Sequence, residues 1–222
     1  MLPLCPLFGL LFVAVSCLFL PLFLWCRRLG ARIEALARLS TLDPLTGLPN
    51  GRVFEAEHWP AAVRSHEALC LLHIDLDHLK ANNDRYGRAL GDRYIVRAAM
   101  LLRQACRRGV DPVFRLHTAG DEFVVLLRGK DALHGATVAQ HILCFLLREN
   151  ISASIGVAST SSTAYQVRVA LLEQAEQAMQ QAKRDGKGRY RIHGLPLPST
   201  QNPQAVPEAI HDSPALPVRG KS

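Results

Sequence analysis

Hydrophobic positions fall into three regimes along the chain. Residues 1–26, MLPLCPLFGLLFVAVSCLFLPLFLWC, contain no charged side chain. From about residue 41 to 194, short apolar runs alternate with stretches of helical period. Beyond Gly194 proline recurs without any apolar period, which predicts a disordered tail over 195–222. Within the middle regime, Pro44, Gly47, Pro49 and Asn50 mark an ordered loop, followed by a helix from about Gly51 to Ser65. ALCLLHID (68–75) reads as a buried strand ending on Asp75, and the polar stretch after it as a short helix and a turn. A strong helix is predicted over 93–108. PVFRLH and FVVLLRG, on either side of Asp121–Glu122, read as an antiparallel hairpin. Residues 131–149 read as helix, ISASIGVAST as strand, 165–186 as a helix stopped by Gly186, and RYRIHG as a last strand. The order helix–β–α–α–β–β–α–β–α–β predicts an α/β (α+β) fold. Its mixed sheet is flanked by helices, with the first strand and the hairpin side by side at the centre in ferredoxin-like order.

The uncharged N-terminal run is long enough to cross a bilayer core, which needs about 20 apolar residues. A cleaved signal peptide is the competing reading. It lacks its basic start and its small-residue cleavage site here. Arg27 and Arg28 follow at once, so the rest of the chain is expected on the cytoplasmic side of the membrane. Leu29, Ile33 and Leu36 then share a helical face, so 27–40 is predicted to be a linker helix. That helix either pairs with a second copy or packs on its own domain. The expected organisation is an anchor at 1–26, the linker at 27–40, a globular domain at 41–194 and the tail, with no room for a sensor domain between anchor and globular domain.

The net charge of +7 suits an anionic lipid surface, a polyphosphate substrate or nucleic acid, and does not choose among them. No aromatic stacking platform or basic recognition helix supports nucleic acid. The six cysteines form no Cys-x-x-Cys pair, which argues against a zinc site or disulfide framework and suits a reducing cytoplasm.

Candidate chemistry concentrates at strand ends. Asp75 closes the first strand, and Asp121–Glu122 sit at the tip of the hairpin. Adjacent buried carboxylates require a positive partner, either a structural Arg or Lys or a metal ion holding a substrate. Mg²⁺ takes one or two carboxylates together with substrate phosphates. Lys80, Lys183, Arg184 and Lys187 carry charges suited to phosphates, although the last three would equally complement a helix C-terminus. Asn83 and Asp92 present the groups that read a guanine edge, and equally those of a turn and a helix cap.

Five blocks resolve these alternatives: DPLTGLPN (43–50), DLDHLKANNDRYGRALGD (75–92), AGDEF (119–123), SIGVA (154–158) and AEQAMQQAKRDGKGRY (175–190). In this order and spacing the chain resembles the GGDEF-domain diguanylate cyclases, which condense two GTP into cyclic di-GMP on a fold like the polymerase palm. The resemblance covers about residues 40–192. It implies that Asp75, the Leu76 carbonyl and Asp121 bind Mg²⁺ (or Mn²⁺). It makes Asp121 the proton acceptor from the attacking 3′-hydroxyl, with Glu122 as its partner. Lys80 would stabilise phosphate charge, Asn83 and Asp92 would bind guanine, and Lys183 and Lys187 would hold the triphosphate. Asp77 is expected to cap the following helix instead. Each domain would hold one GTP, so the resemblance implies a homodimer.

Three departures stand out. Ala119 replaces the first signature glycine. His117 and Thr118 lengthen the hairpin by two residues. Arg108 and Asp111 match the family's inhibitory product site but lie correspondingly further from the signature. The alternative to an active cyclase is therefore a degenerate domain that binds GTP or cyclic di-GMP and acts by contact.

Overall fold

The computed structural model describes residues 19–30, 32, 41–118 and 120–195. The chain divides into two compact units, Met1–Thr41 and Leu42–Ser222. In the first, residues 19–30 form helix α1, which leaves Phe19, Leu20, Leu22, Phe23, Leu24 and Trp25 exposed. Among the described residues no helix is long and apolar enough to cross a membrane. Most of the expected anchor, most of the linker and nearly all of the tail lie outside the described residues.

The second unit is built on a five-stranded mixed sheet flanked by helices. In sequence order its elements are α2 (Gly51–Val53), a π-helical turn (Phe54–His58), α3 (Trp59–Arg64), β1 (Leu69–Leu76), α4 (Leu79–Tyr86), α5 (Arg88–Ala105), β2 (Val113–Arg115), β3 (Glu122–Arg128), α6 (Ala132–Leu147), β4 (Ala153–Thr160), α7 (Tyr165–Val169), α8 (Leu171–Arg184) and β5 (Tyr190–Ile192). The strands lie in the order β2-β3-β1-β4-β5. β1 is antiparallel to both β3 and β4, and β5 is parallel to β4. The first strand and the hairpin are thus neighbours, as the pattern predicts.

Every residue of β1 is buried. Its alternate positions face opposite sides. Cys70, Leu72, Ile74 and Leu76 join a core with Ile95, Ala99 and Leu102 of α5 and Ile142 and Leu146 of α6. Leu69 and Leu71 join the other core, with Phe54, Phe114, Leu171 and Ala175. His73 and Asp75 continue this second face, which therefore turns from apolar to ionisable toward the end of the strand.

Three elements differ from the pattern. The helix predicted from residue 93 begins at Arg88. Gly91 reads as a breaker, yet it lies inside this helix, and it is a glycine because a Cβ there would lie 1.8 Å from Asn83 Oδ1. The helix predicted over 165–186 is broken at Ala170. The first helix is widened by the π turn just ahead of Pro60, whose missing N–H and bulky ring disrupt the ordinary ladder.

Candidate active site at the end of β1

Glycine and small residues set the site's geometry. A Cβ at Gly156 would lie 1.8 Å from the Ala175 carbonyl oxygen, so α8 packs directly on the backbone of β4. The helix buries Leu171, Ala175, Ala178, Met179 and Ala182 at helical spacing. This registration carries Lys183, in its last turn, to Asp75 at 2.7 Å. Across the ladder, Asp75 is paired with Glu122 of β3 and Ser154 of β4. The Leu76 N–H donates to the Asp121 carbonyl at 3.3 Å, so the main chain of the signature is tied to the end of β1. Burial pushes the Asp75 carboxyl up to about 6; Lys183 opposes this, and the charges of Asp121 and Glu122 add to it. The positive partner required by the sequence is, in this structure, a lysine. It meets one carboxylate of three.

The signature turn is fixed from behind. Arg115, buried in β2, donates to the Gly120 carbonyl through Nε (3.2 Å) and Nη2 (2.8 Å). Its Nη1 meets both oxygens of buried Asp43, at 2.9 and 3.1 Å. Asp43 in turn accepts from the Thr46 N–H (2.8 Å) and hydroxyl (2.6 Å). Arg115 and these hydrogen bonds hold the Asp43 carboxyl below the usual carboxylate range despite its burial. The sequence shows 43–50 as an ordered loop and a family block but not this brace. The Asp-x-x-Thr spacing, an aspartate able to bond a backbone N–H three residues on, is the local signal for it. The lengthened turn closes within this frame. Leu116 N–H bonds the Glu122 carbonyl (3.0 Å), and Gly120 N–H bonds that of His117 (3.1 Å). Ala119 lies outside the described residues.

Asp77 is not the expected helix cap. The cap position of α4 belongs to His78, without a side-chain bond. Asp77 is buried and accepts from the hydroxyls of Ser152 (2.6 Å) and Ser154 (2.8 Å) and from Gly188 N–H (3.0 Å). It thereby secures the start of β4 and the loop carrying Lys187, a half-buried residue at φ 62°. His73, two residues before Asp75, is a further buried group the sequence reading does not use. Burial, Lys183 and His117 push its imidazole down to about 4, so it stays neutral.

The remaining candidates surround this end or lie away from it. Lys80 is exposed in the first turn of α4. Asn83 leaves its buried Oδ1 without a partner, pressed against Gly91, and Asp92 is exposed on the next residue. Arg108 and Asp111 sit at the opposite end of β2, beside a cleft of about 540 Å³ that Arg103 and Arg128 also line. There Arg107, not Arg108, forks the buried Asp111 carboxylate with two bonds of 2.8 Å. Arg108 is exposed.

Among the described residues no three His, Cys, Asp or Glu side chains close a metal cage by themselves. The carboxylate oxygens of Asp75, Asp121 and Glu122 are nevertheless the donor type that a hard cation carrying phosphate oxygens takes.

The family model described as "Diguanylate cyclase, GGDEF domain" matches residues 40–189. The chain belongs to the GGDEF family. It is 35% identical over 209 residues to the diguanylate cyclase TpbB of Pseudomonas aeruginosa, which covers 86% of this chain and 46% of that protein. The chain thus spans about half the length of that relative, and less of some others. The solved GGDEF domain of TpbB aligns with a TM-score of 0.60 at 34% identity, over 69% of this chain and 95% of that one. A microbial GGDEF domain solved with cyclic di-GMP aligns with a TM-score of 0.57 at 29% identity, over 68% of this chain and 98% of that one. The Asp121–Glu122 turn is this chain's version of the GGDEF signature.

Proposed function

We propose that this chain is a membrane-anchored diguanylate cyclase that condenses two GTP into cyclic di-GMP as a homodimer. The observation that carries the reading is the under-neutralised carboxylate group formed by Asp75, Asp121 and Glu122, with lysines at its edge. Asp75, the Leu76 carbonyl and Asp121 would hold Mg²⁺ or Mn²⁺, with Glu122 beside them. A divalent ion there supplies Lewis-acid charge at the reacting phosphate. The chain's own groups do the rest. Asn83 and Asp92 orient guanine. Lys183 leaves Asp75 for the triphosphate, joined by Lys187, and Lys80 offsets charge as the bond to the leaving pyrophosphate breaks. Asp121 takes the proton of the 3′-hydroxyl that attacks the α-phosphorus of the GTP held by the partner. Two such displacements close the ring and release two pyrophosphates.

The uncharged run 1–26 followed by Arg27 and Arg28 supports an inner-membrane anchor with the palm-like domain 41–194 in the cytoplasm. A shared membrane and a paired linker helix over 27–40 raise the local concentration of the second domain. Arg108 and Asp111 are retained as a product site that can form only if the Arg107 fork opens. The test is incubation of the full chain in detergent with GTP and Mg²⁺, with Asp121→Asn in parallel. Cyclic di-GMP from the parent and none from the variant supports the reading. GTP or cyclic di-GMP binding with no product from either moves it to a degenerate receptor.

A further inference from the structure

Gly91 is buried early in α5, where a glycine is less stable than an alanine because its backbone loses more freedom on folding. A methyl there would meet the Asn83 amide. Its three nearest atoms would be Asn83 Oδ1 at 1.8 Å, Cγ at 2.8 Å and Nδ2 at 3.1 Å. The Asn83 backbone is held, since its carbonyl accepts the Gly87 N–H that closes α4 at 2.9 Å. The side chain is therefore seated on the α5 main chain, in the space a Cβ would take. The seat is not a hydrogen bond, because Asn83 Oδ1 is buried without a partner. Folded proteins seldom leave a buried acceptor unpaired, and those they do leave call for a functional reason. Asp92 follows Gly91 directly and is exposed.

We propose that Gly91 is a positioning residue that sets base specificity: its missing side chain lets Asn83 lie against α5 with its amide in one orientation, which together with Asp92 selects guanine over adenine. A base edge is read by the order of its donors and acceptors. Guanine presents an acceptor at O6 beside donors at N1 and the 2-amino group, whereas adenine presents a donor at N6 beside an acceptor at N1. An amide free to turn over offers either of its groups and reads both bases. One seated through Oδ1 keeps its N–H groups for O6, and the Asp92 carboxylate accepts from N1 and the 2-amino group. The glycine thus gives up helix stability for base selection. The inference rests on the reading of Asn83 and Asp92 as guanine-binding groups given above.

The test uses the full chain in detergent with Mg²⁺ and the α,β-methylene analogues of GTP and ATP, which cannot be cyclised. Binding is read by isothermal titration calorimetry for the parent, Gly91→Ala, Asn83→Ala and the double variant. Gly91→Ala is expected to melt at or above the temperature of the parent, to bind the GTP analogue about tenfold more weakly and to bind the ATP analogue no more weakly. Added to Asn83→Ala, it is expected to cause less than about a twofold further loss, because both changes act through one amide. In turnover the loss should appear in KM for GTP more than in kcat. Binding of the GTP analogue by Gly91→Ala within about twofold of the parent overturns the proposal, as does an equal loss for both analogues or a full loss on the Asn83→Ala background. A Gly91→Ala melting temperature several degrees below that of the parent also overturns it, since the methyl would then displace more than Asn83. If Asn83→Ala loses the GTP analogue while Gly91→Ala keeps it, only the role of Gly91 fails. If Asn83→Ala keeps it too, the guanine reading itself fails.

Discussion

Asp75 and Asp77 are two residues apart, both buried, both at the mouth of the same strand, and they are treated in opposite ways. Asp77 is saturated by two hydroxyls and a backbone N–H. Asp75 has one lysine, two repelling neighbours and a carboxyl pushed up to about 6. The first is what a fold does with a buried carboxylate it uses as a fastener. The second is what it does with one it leaves for something else to complete. On the proposed function, fastening and metal holding thus fall on residues two apart without sharing a side chain.

The largest effect is expected from removing the brace behind the signature turn. Arg115→Ala leaves Asp43 buried without its cation and Gly120 unsupported, and should cost about 3–5 kcal/mol in thermal or denaturant unfolding. Next is Asp75→Asn, which should lower cyclase turnover on the order of a hundredfold or more without lowering the melting temperature. Asp77→Ala should do the reverse. It strands the Ser152 and Ser154 hydroxyls and frees the Lys187 loop, and should cost about 2–3 kcal/mol of stability. Its turnover at a temperature where it is folded should suffer mainly through a raised KM for GTP.

The smallest effect is on pH dependence, in metal-free protein. A carboxyl with a raised folded pKa binds more protons folded than unfolded. Asp75 thus costs stability as pH rises from about 4, its unfolded value, through about 6. His73, held neutral by burial down to about 4, acts in the opposite sense, adding stability as pH rises from about 4 to its unfolded value near 6.5. The parent curve mixes the two, so the informative quantity is the difference between parent and Asp75→Asn. Asp75→Asn should gain stability relative to the parent between those pH values and the difference should level off above them. A difference that does not change with pH would remove the claim that Asp75 is left uncompensated.

What the sequence makes legible follows physical range. The β1 run, the α6 and α8 periods and the sheet neighbours are local patterns, and the expected strand 68–75 and helix 131–149 coincide closely with Leu69–Leu76 and Ala132–Leu147. The signature blocks identify the family because chemistry fixes residue type and spacing together. The Asp43–Arg115 brace spans 72 residues and leaves no periodic trace. Gly91 looks like a breaker because its reason is a contact with Asn83. Arg168, unremarkable within the predicted helix, is fully buried, donating to the carbonyls of Ala62, Val63, Glu67 and Ser162 and so binding α7 to the end of α3. Asp77 reads as a cap because the residues it fastens, Ser152, Ser154 and Gly188, are distant in sequence.

The most direct test of the central claim is product formation by the full chain from GTP and Mg²⁺, followed as a function of protein concentration. Cyclic di-GMP whose specific activity rises with concentration is the result predicted for two facing half-sites. A chain that binds GTP at these residues and yields no cyclic di-GMP at any concentration would contradict it.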